Sequence, residues 1–115
     1  MKLDERSAAG LATMVHMQSP IKTNVLVACP PGTAHRRLVR LRRYQWSDDE
    51  GAFVREDGGD DEVYVRKTDE GRLQLYPHPE FECPMAGCDR SAAYEHDNFQ
   101  DMLRRAAAAN GVVFI

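Results

Sequence analysis

VACPPGTAH at residues 27–35 and FECPMAGC at residues 81–88 are two versions of one local design. Each leaves a short strand-like run, turns at Cys-Pro and carries a glycine inside the turn. Each then closes on a second donor, His35 or Cys88. Proline presets φ and glycine admits turn conformations closed to other residues, so both loops can double back within a few residues. A tetrahedral zinc ion is usually held by sulfur and nitrogen donors delivered in pairs by such turns. Cys29, His35, Cys83 and Cys88 make a set of four. The plain alternative is three small thiols filling a core as minor hydrophobes.

The paired Cys-Pro loops resemble the knuckles of a zinc ribbon, in which two turns at the ends of β-hairpins share one metal. The resemblance covers the two loops and their adjoining strands. It implies a structural Zn2+ on Cys29, His35, Cys83 and Cys88, with no open position for water and hence no metal-assisted hydrolysis. The intervals are wider than the family's: five residues lie between Cys29 and His35, and four between Cys83 and Cys88. His96, just ahead of the C-terminal helix, is an alternative ligand. The first loop also approaches the Cys-x5-Arg pattern of cysteine phosphatases, but His35 stands where the arginine belongs and Arg36 comes one place late. Two prolines remove amides that would grip phosphate there.

At 115 residues the chain has the length of one domain with a modest core, to which a structural metal would matter. Three cysteines cannot all pair within one chain, which points to a reducing compartment, the cytoplasm. No run approaches the roughly 20 apolar residues of a membrane span. The acidic Asp4 and Glu5 do not fit a secretory signal. Residues 1–20 are expected to form a flexible arm closed by Pro20, with the domain in 21–115.

Turn signals divide that domain. Asn24–Ala28 is a β-branched run and reads as a strand. The run from His35 to Trp46 reads as another; Leu38 and Leu41 would also suit a helix, but Ser47–Gly51 followed by Ala52–Val54 favours a hairpin. Glu56–Asp61 is an exposed acidic turn. Val63–Val65 and Leu73–Tyr76 flank a second hairpin, stopped by Pro77 and Pro79. From Asp97 to Asn110, Phe99, Met102, Leu103 and Ala106 share one helical face, with Asp97 as the cap and Asn110-Gly111 as the stop. Val112–Ile115 can add a last strand. The expected class is α+β: hairpin-rich, with two Cys-Pro knuckles and one C-terminal helix.

Charge is patterned within a net −3. Arginines crowd residues 36–43, and acids crowd the stretch from Asp48 to Glu62. On a strand, Arg40, Arg42, Tyr44 and Trp46 share one face, with Arg36 before them and Arg43 beside them. Arginine forks and aromatic faces suit nucleic acid. Pairing with the neighbouring acids is the competing use, and the negative total disfavours DNA. The expected function is a small non-catalytic, zinc-stabilised binding or adaptor protein with a protein partner and no membrane contact. The alternative is a nucleic-acid-binding accessory or regulatory protein using Arg36, Arg40, Arg42, Arg43, Tyr44 and Trp46.

Overall fold

The computed structural model describes residues 22–115, so the arm expected at 1–20 lies outside the described residues. Strands β1 (Asn24–Cys29), β2 (Val39–Ser47) and β3 (Ala52–Arg55) come first, followed by β4 (Val63–Lys67) and β5 (Leu73–Pro77). Two three-residue strands, β6 (Glu80–Glu82) and β7 (Ser91–Ala93), precede helix α1 (His96–Ala107) and β8 (Val112–Phe114). The fold is α+β, rich in strands and hairpins with one C-terminal helix.

The main sheet has the order β3-β2-β1-β8. β1 runs antiparallel to β2 and parallel to β8, so the chain's last strand returns beside its first described one. The β2–β3 hairpin turns at Gly51, whose φ of 64° is the left-handed value that favours glycine. α1 lies on one face of this sheet. Its Phe99, Leu103, Ala106 and Ala107 are buried against Val25, Val27, Tyr44 and Val113. The helix stops earlier than the expected Asn110-Gly111: it ends at Ala107 with Ala108 as its C-cap, and the Gly111 amide (φ 78°) reaches back to the Ala106 carbonyl from beyond that end. Its start differs. Glu95, not Asp97, is at the capping position and makes no side-chain cap; Asp97 sits inside the first turn, where its charge suits the helix dipole.

Phe99 is the hub of the aromatic core. Its ring meets Tyr44 edge-on at 5.1 Å, Tyr94 in a stack at 5.4 Å and Phe81 at 5.5 Å. It therefore joins the sheet, the helix and the β6–β7 hairpin.

The β2 alternation holds from Arg42 onward, but the bulge that pairs Val27 with Arg42 and Ala28 with Arg40 takes Arg40 off the expected face, and the direction of that face is the reverse of a binding surface. Arg42, Tyr44 and Trp46 do share a face, and that face turns inward. Tyr44 is fully buried. Arg42 lies at 4.6 Å over the Phe81 ring and forks onto Glu62 at 3.0 and 3.2 Å. It also donates to Asp61 at 3.2 Å, and the Tyr44 hydroxyl donates to the same Asp61 oxygen at 2.5 Å. Glu62 in turn accepts the Glu80 amide at 3.1 Å, tying β2 to β6. An arginine under a helix-covered face is tolerable only because two carboxylates reach it.

Burial works to raise the Glu62 pKa. The Arg42 fork and the backbone amides of Glu62 and Glu80 outweigh it and hold the carboxyl at about 2. The folded state thus binds fewer protons than the unfolded one below the ordinary value of 4.5. The stabilisation is full above that value and fades as pH falls towards 2.

Replacing Arg42 with Leu should cost about 3 kcal/mol, read from the urea midpoint, because two carboxylates and a buried phenol lose their partner. Glu62→Gln, at a partly exposed group, should cost about 1 kcal/mol at neutral pH. The gap between wild type and Glu62→Gln should narrow between about pH 4.5 and 2. Metal-site protonation affects both proteins alike, so the difference isolates Glu62.

Candidate metal centre

β1 ends at Cys29, in the interior of the main sheet, where the thiol is fully buried. The loop after it folds back, the Gly32 amide donating to the His35 carbonyl at 2.9 Å. That return brings His35 over the strand end. The second pair sits in the turn of the β6–β7 hairpin. Cys83 extends that ladder, its amide donating to the Arg90 carbonyl at 3.0 Å. The Cys88 amide closes a turn onto the Met85 carbonyl at 3.0 Å, with Gly87 at φ 82°. That φ is what the third position of a type II turn requires.

The four donors converge. The three sulfurs and the imidazole nitrogen lie at edge distances of 3.4 Å (Cys29 Sγ to His35 Nε2), 3.6 Å (Cys83 Sγ to His35 Nε2) and 3.7 Å (Cys29 Sγ to Cys88 Sγ). All four donor atoms lie within 4.8 Å of one another. A tetrahedral ion with bonds of about 2.3 Å to sulfur and about 2.05 Å to nitrogen has edges of about 3.8 Å (S···S) and 3.6 Å (S···N). A disulfide, by contrast, would hold its sulfurs about 2.05 Å apart. The three cysteines are free thiols. The cluster can therefore hold one metal ion in a four-coordinate site.

The imidazole is preset for the task. Its Nδ1 lies 2.7 Å from the Arg37 carbonyl, which can only accept, so the proton sits on Nδ1 and Nε2 keeps its lone pair towards the sulfurs. The Arg90 backbone amide, ahead of lesser contributions from Cys83, His35 and Cys29, draws the Cys88 thiol down to about 7. Burial, together with the adjoining Cys83 and Cys88, pushes Cys29 up to about 11. Crowded sulfurs resist ionising beside one another, and a divalent cation removes that conflict.

The other expected site residues lie elsewhere. His96 opens α1 and lines a cavity with Tyr64, Tyr76 and His78, and it is not among the four donors that converge. Arg36 precedes β2 instead of belonging to it, and is exposed with Arg40. Arg43 is half-buried and pairs with Glu56 at 3.7 Å. Trp46 is half-buried beneath the Arg104 guanidinium at 4.9 Å and donates to Asp48. Tyr44 and Arg42 are enclosed as described, so the six do not form one open patch. The second-sphere groups, Arg37 and Arg90, carried no signal in the sequence, because each acts through its backbone.

A scan of the chain against protein-family models, a search of curated proteins and a search of solved structures return no match.

Titration with Co2+ should give one equivalent bound per chain with the intense visible bands of a tetrahedral thiolate site. Cys83→Ser should lose most of that intensity. Gly87→Ala should weaken binding and cost about 1 kcal/mol by backbone strain alone, since an added Cβ would meet nothing nearer than Ala34 at 4.0 Å.

Proposed function

We propose that the protein is a small, non-catalytic binding module whose body is braced by structural Zn2+ and which acts through contact with another protein. The Cys29–His35–Cys83–Cys88 tetrahedron carries this reading. Three sulfurs and one imidazole are a borderline-soft set that suits zinc better than magnesium or calcium. Four protein donors complete the coordination of zinc, so no place remains for a reacting water. The ion's use is then mechanical: it fastens the β6–β7 turn to the end of β1.

What remains to act is surface. Large apolar side chains stand exposed on the β4–β5 hairpin, and such a patch on a small protein marks a contact site. A cytoplasmic location, which keeps the thiols reduced and able to bind zinc, fits the same reading. No helix among the described residues is long and apolar enough to cross a membrane. Nucleic-acid binding would have to use Arg36, Arg37 and Arg40, which are exposed beside the first knuckle.

Native mass spectrometry of the protein purified without added metal should show one zinc per chain. Zinc removal by a strong chelator should lower the thermal midpoint and release the β6–β7 amides to rapid hydrogen exchange before those of β1 and β2. Zinc well below one equivalent, or a chelated protein with unchanged exchange, would overturn the structural role. A salt-dependent affinity for oligonucleotides, lost in Arg36→Ala/Arg40→Ala, would favour the nucleic-acid alternative.

A further inference from the structure

The sulfurs of the four-donor cluster differ in how far solvent reaches them. Cys29 is fully buried and Cys83 is 4% exposed. Cys88 is half-buried and lines an open cleft of about 300 Å³ between the two knuckles. The polar side chains along that cleft are Thr33, His35, Asp89 and Arg90, and Arg90 is engaged by the Ile115 carbonyl at 3.3 Å. Neither Cys29 nor Cys83 is part of its wall. A small solute that enters therefore meets the Cys88 sulfur first. Behind it stands the Cys29 sulfur, 3.7 Å away. A disulfide would hold the pair about 2.05 Å apart, so side-chain movement of about 1.7 Å joins them. Sulfurs that hold a divalent cation do so as thiolates, the form that attacks an electrophile.

We propose that the cluster is a peroxide-responsive switch: a hydroperoxide entering the cleft oxidises Cys88, Cys29 converts it to a disulfide, and the cluster gives up its Zn2+. The inference rests on the zinc reading of the same four residues and adds their regulation. The Cys88 thiolate attacks one oxygen of hydrogen peroxide. A sulfur–oxygen bond forms, the oxygen–oxygen bond breaks and hydroxide leaves, giving a sulfenic acid. The Cys29 thiolate then attacks the Cys88 sulfur, which forms the sulfur–sulfur bond and expels a second hydroxide. Two electrons pass from the sulfur pair to the peroxide. Two thiolate donors are lost, and Cys83 with His35 falls short of the four ligands of a structural zinc site. A dithiol reverses the change by exchange.

The choice of sulfur pair decides the mechanical outcome. A Cys29–Cys88 bond joins the end of β1 to the β6–β7 turn, so the hairpin stays seated without the ion. His35 loses its anchor instead. The Gly32–His35 backbone bond and the bond between His35 Nδ1 and the Arg37 carbonyl are both internal to the first loop, and neither ties it to the hairpin. Oxidation thus frees the loop that carries the exposed Arg36 and Arg37.

The full zinc-loaded chain, treated with a few equivalents of hydrogen peroxide beside a chromophoric chelator, tests this. One zinc per chain should be released in step with a mass loss of about 2 Da, the two thiol hydrogens of a new disulfide. Peptide mapping should join Cys29 to Cys88 and leave Cys83 a free thiol. Dithiothreitol with added zinc should restore the starting protein. Met85, 45% exposed in the same turn, reports the peroxide dose, and its sulfoxide should form only after zinc has left. Before oxidation, limiting N-ethylmaleimide should label Cys88 ahead of Cys29 and Cys83. Amides of residues 32–37 should exchange faster in the oxidised protein, while those of β6 and β7 keep the protection that a chelator removes. Zinc retained at a dose that oxidises Met85, release without a disulfide, a bridge made to Cys83, or labelling led by Cys29 or Cys83 would each overturn the switch and leave the structural zinc reading standing. A protein that holds no zinc as purified and takes none up would remove that reading, and the switch with it.

Discussion

Everything in this fold turns on bringing sulfur atoms from distant parts of the chain into one buried place. Cys29 and Cys88 are separated by 59 positions, and their sulfurs stand 3.7 Å apart without being bonded. Thiols so placed have little reason to gather for their own sake, because burial and mutual repulsion both oppose their ionisation. A cation with tetrahedral demand reverses the sign of each term, and the imidazole of His35 supplies the fourth corner with its proton already assigned. The consequence reaches beyond the site. β6 and β7 are three residues each, too short to hold a place on a core by pairing alone. Their turn carries two of the four candidate ligands, so an ion held there would fix the hairpin that presents Phe81 to Phe99.

Arg42 provides a second fastening at the opposite end of the same hairpin. A metal on the four-donor cluster would hold the turn, at Cys83 and Cys88. The Arg42–Glu62 pair holds the open end, because Glu62 also accepts the Glu80 amide. A charged pair is a costly way to brace a core, since desolvation consumes much of what attraction returns. Here the cost is limited by partial exposure of the acid, 38% for the Glu62 side chain against 15% for Arg42. Two polar fastenings at the two ends of one short hairpin are a way to stabilise a chain whose core contains few large side chains.

The local parts of this design were legible in the sequence, and the non-local parts were not. The two long hairpins and the helix face of Phe99, Leu103 and Ala106 follow from turn chemistry and periodicity within a short window, although the helix ends at Ala107, short of the glycine that signals its stop. The metal set was legible because the two Cys-Pro loops repeat one pattern. β6 and β7 escaped, since Glu-Phe-Glu and Ser-Ala-Ala carry little strand preference and are extended because the knuckle between them is anchored. The inward direction of Arg42, Tyr44 and Trp46 escaped for a related reason. Alternation fixes which residues share a face but not which face is covered. Here the acids that permit burial arrive about twenty positions later in the chain. His96 was a reasonable ligand by spacing, yet helix α1 carries it to the ribbon side.

Glu62 connects these two halves of the structure. Its side chain serves Arg42 of β2 and the Glu80 amide of β6, while its carbonyl accepts the His78 amide at 2.6 Å, just outside the paired strands β4 and β5. The base of the ribbon is thus bonded to the same residue that braces the β6–β7 hairpin. Beyond that base no layer among the described residues covers the ribbon, and its residues from Val63 to Lys67 are all exposed. Charge and sulfur are enclosed around the β6–β7 hairpin, and large exposed apolar side chains gather on the β4–β5 ribbon. A ribbon whose root is fixed and whose flank is bare keeps its direction without needing a partner, and this lowers the ordering cost of contact when a partner arrives.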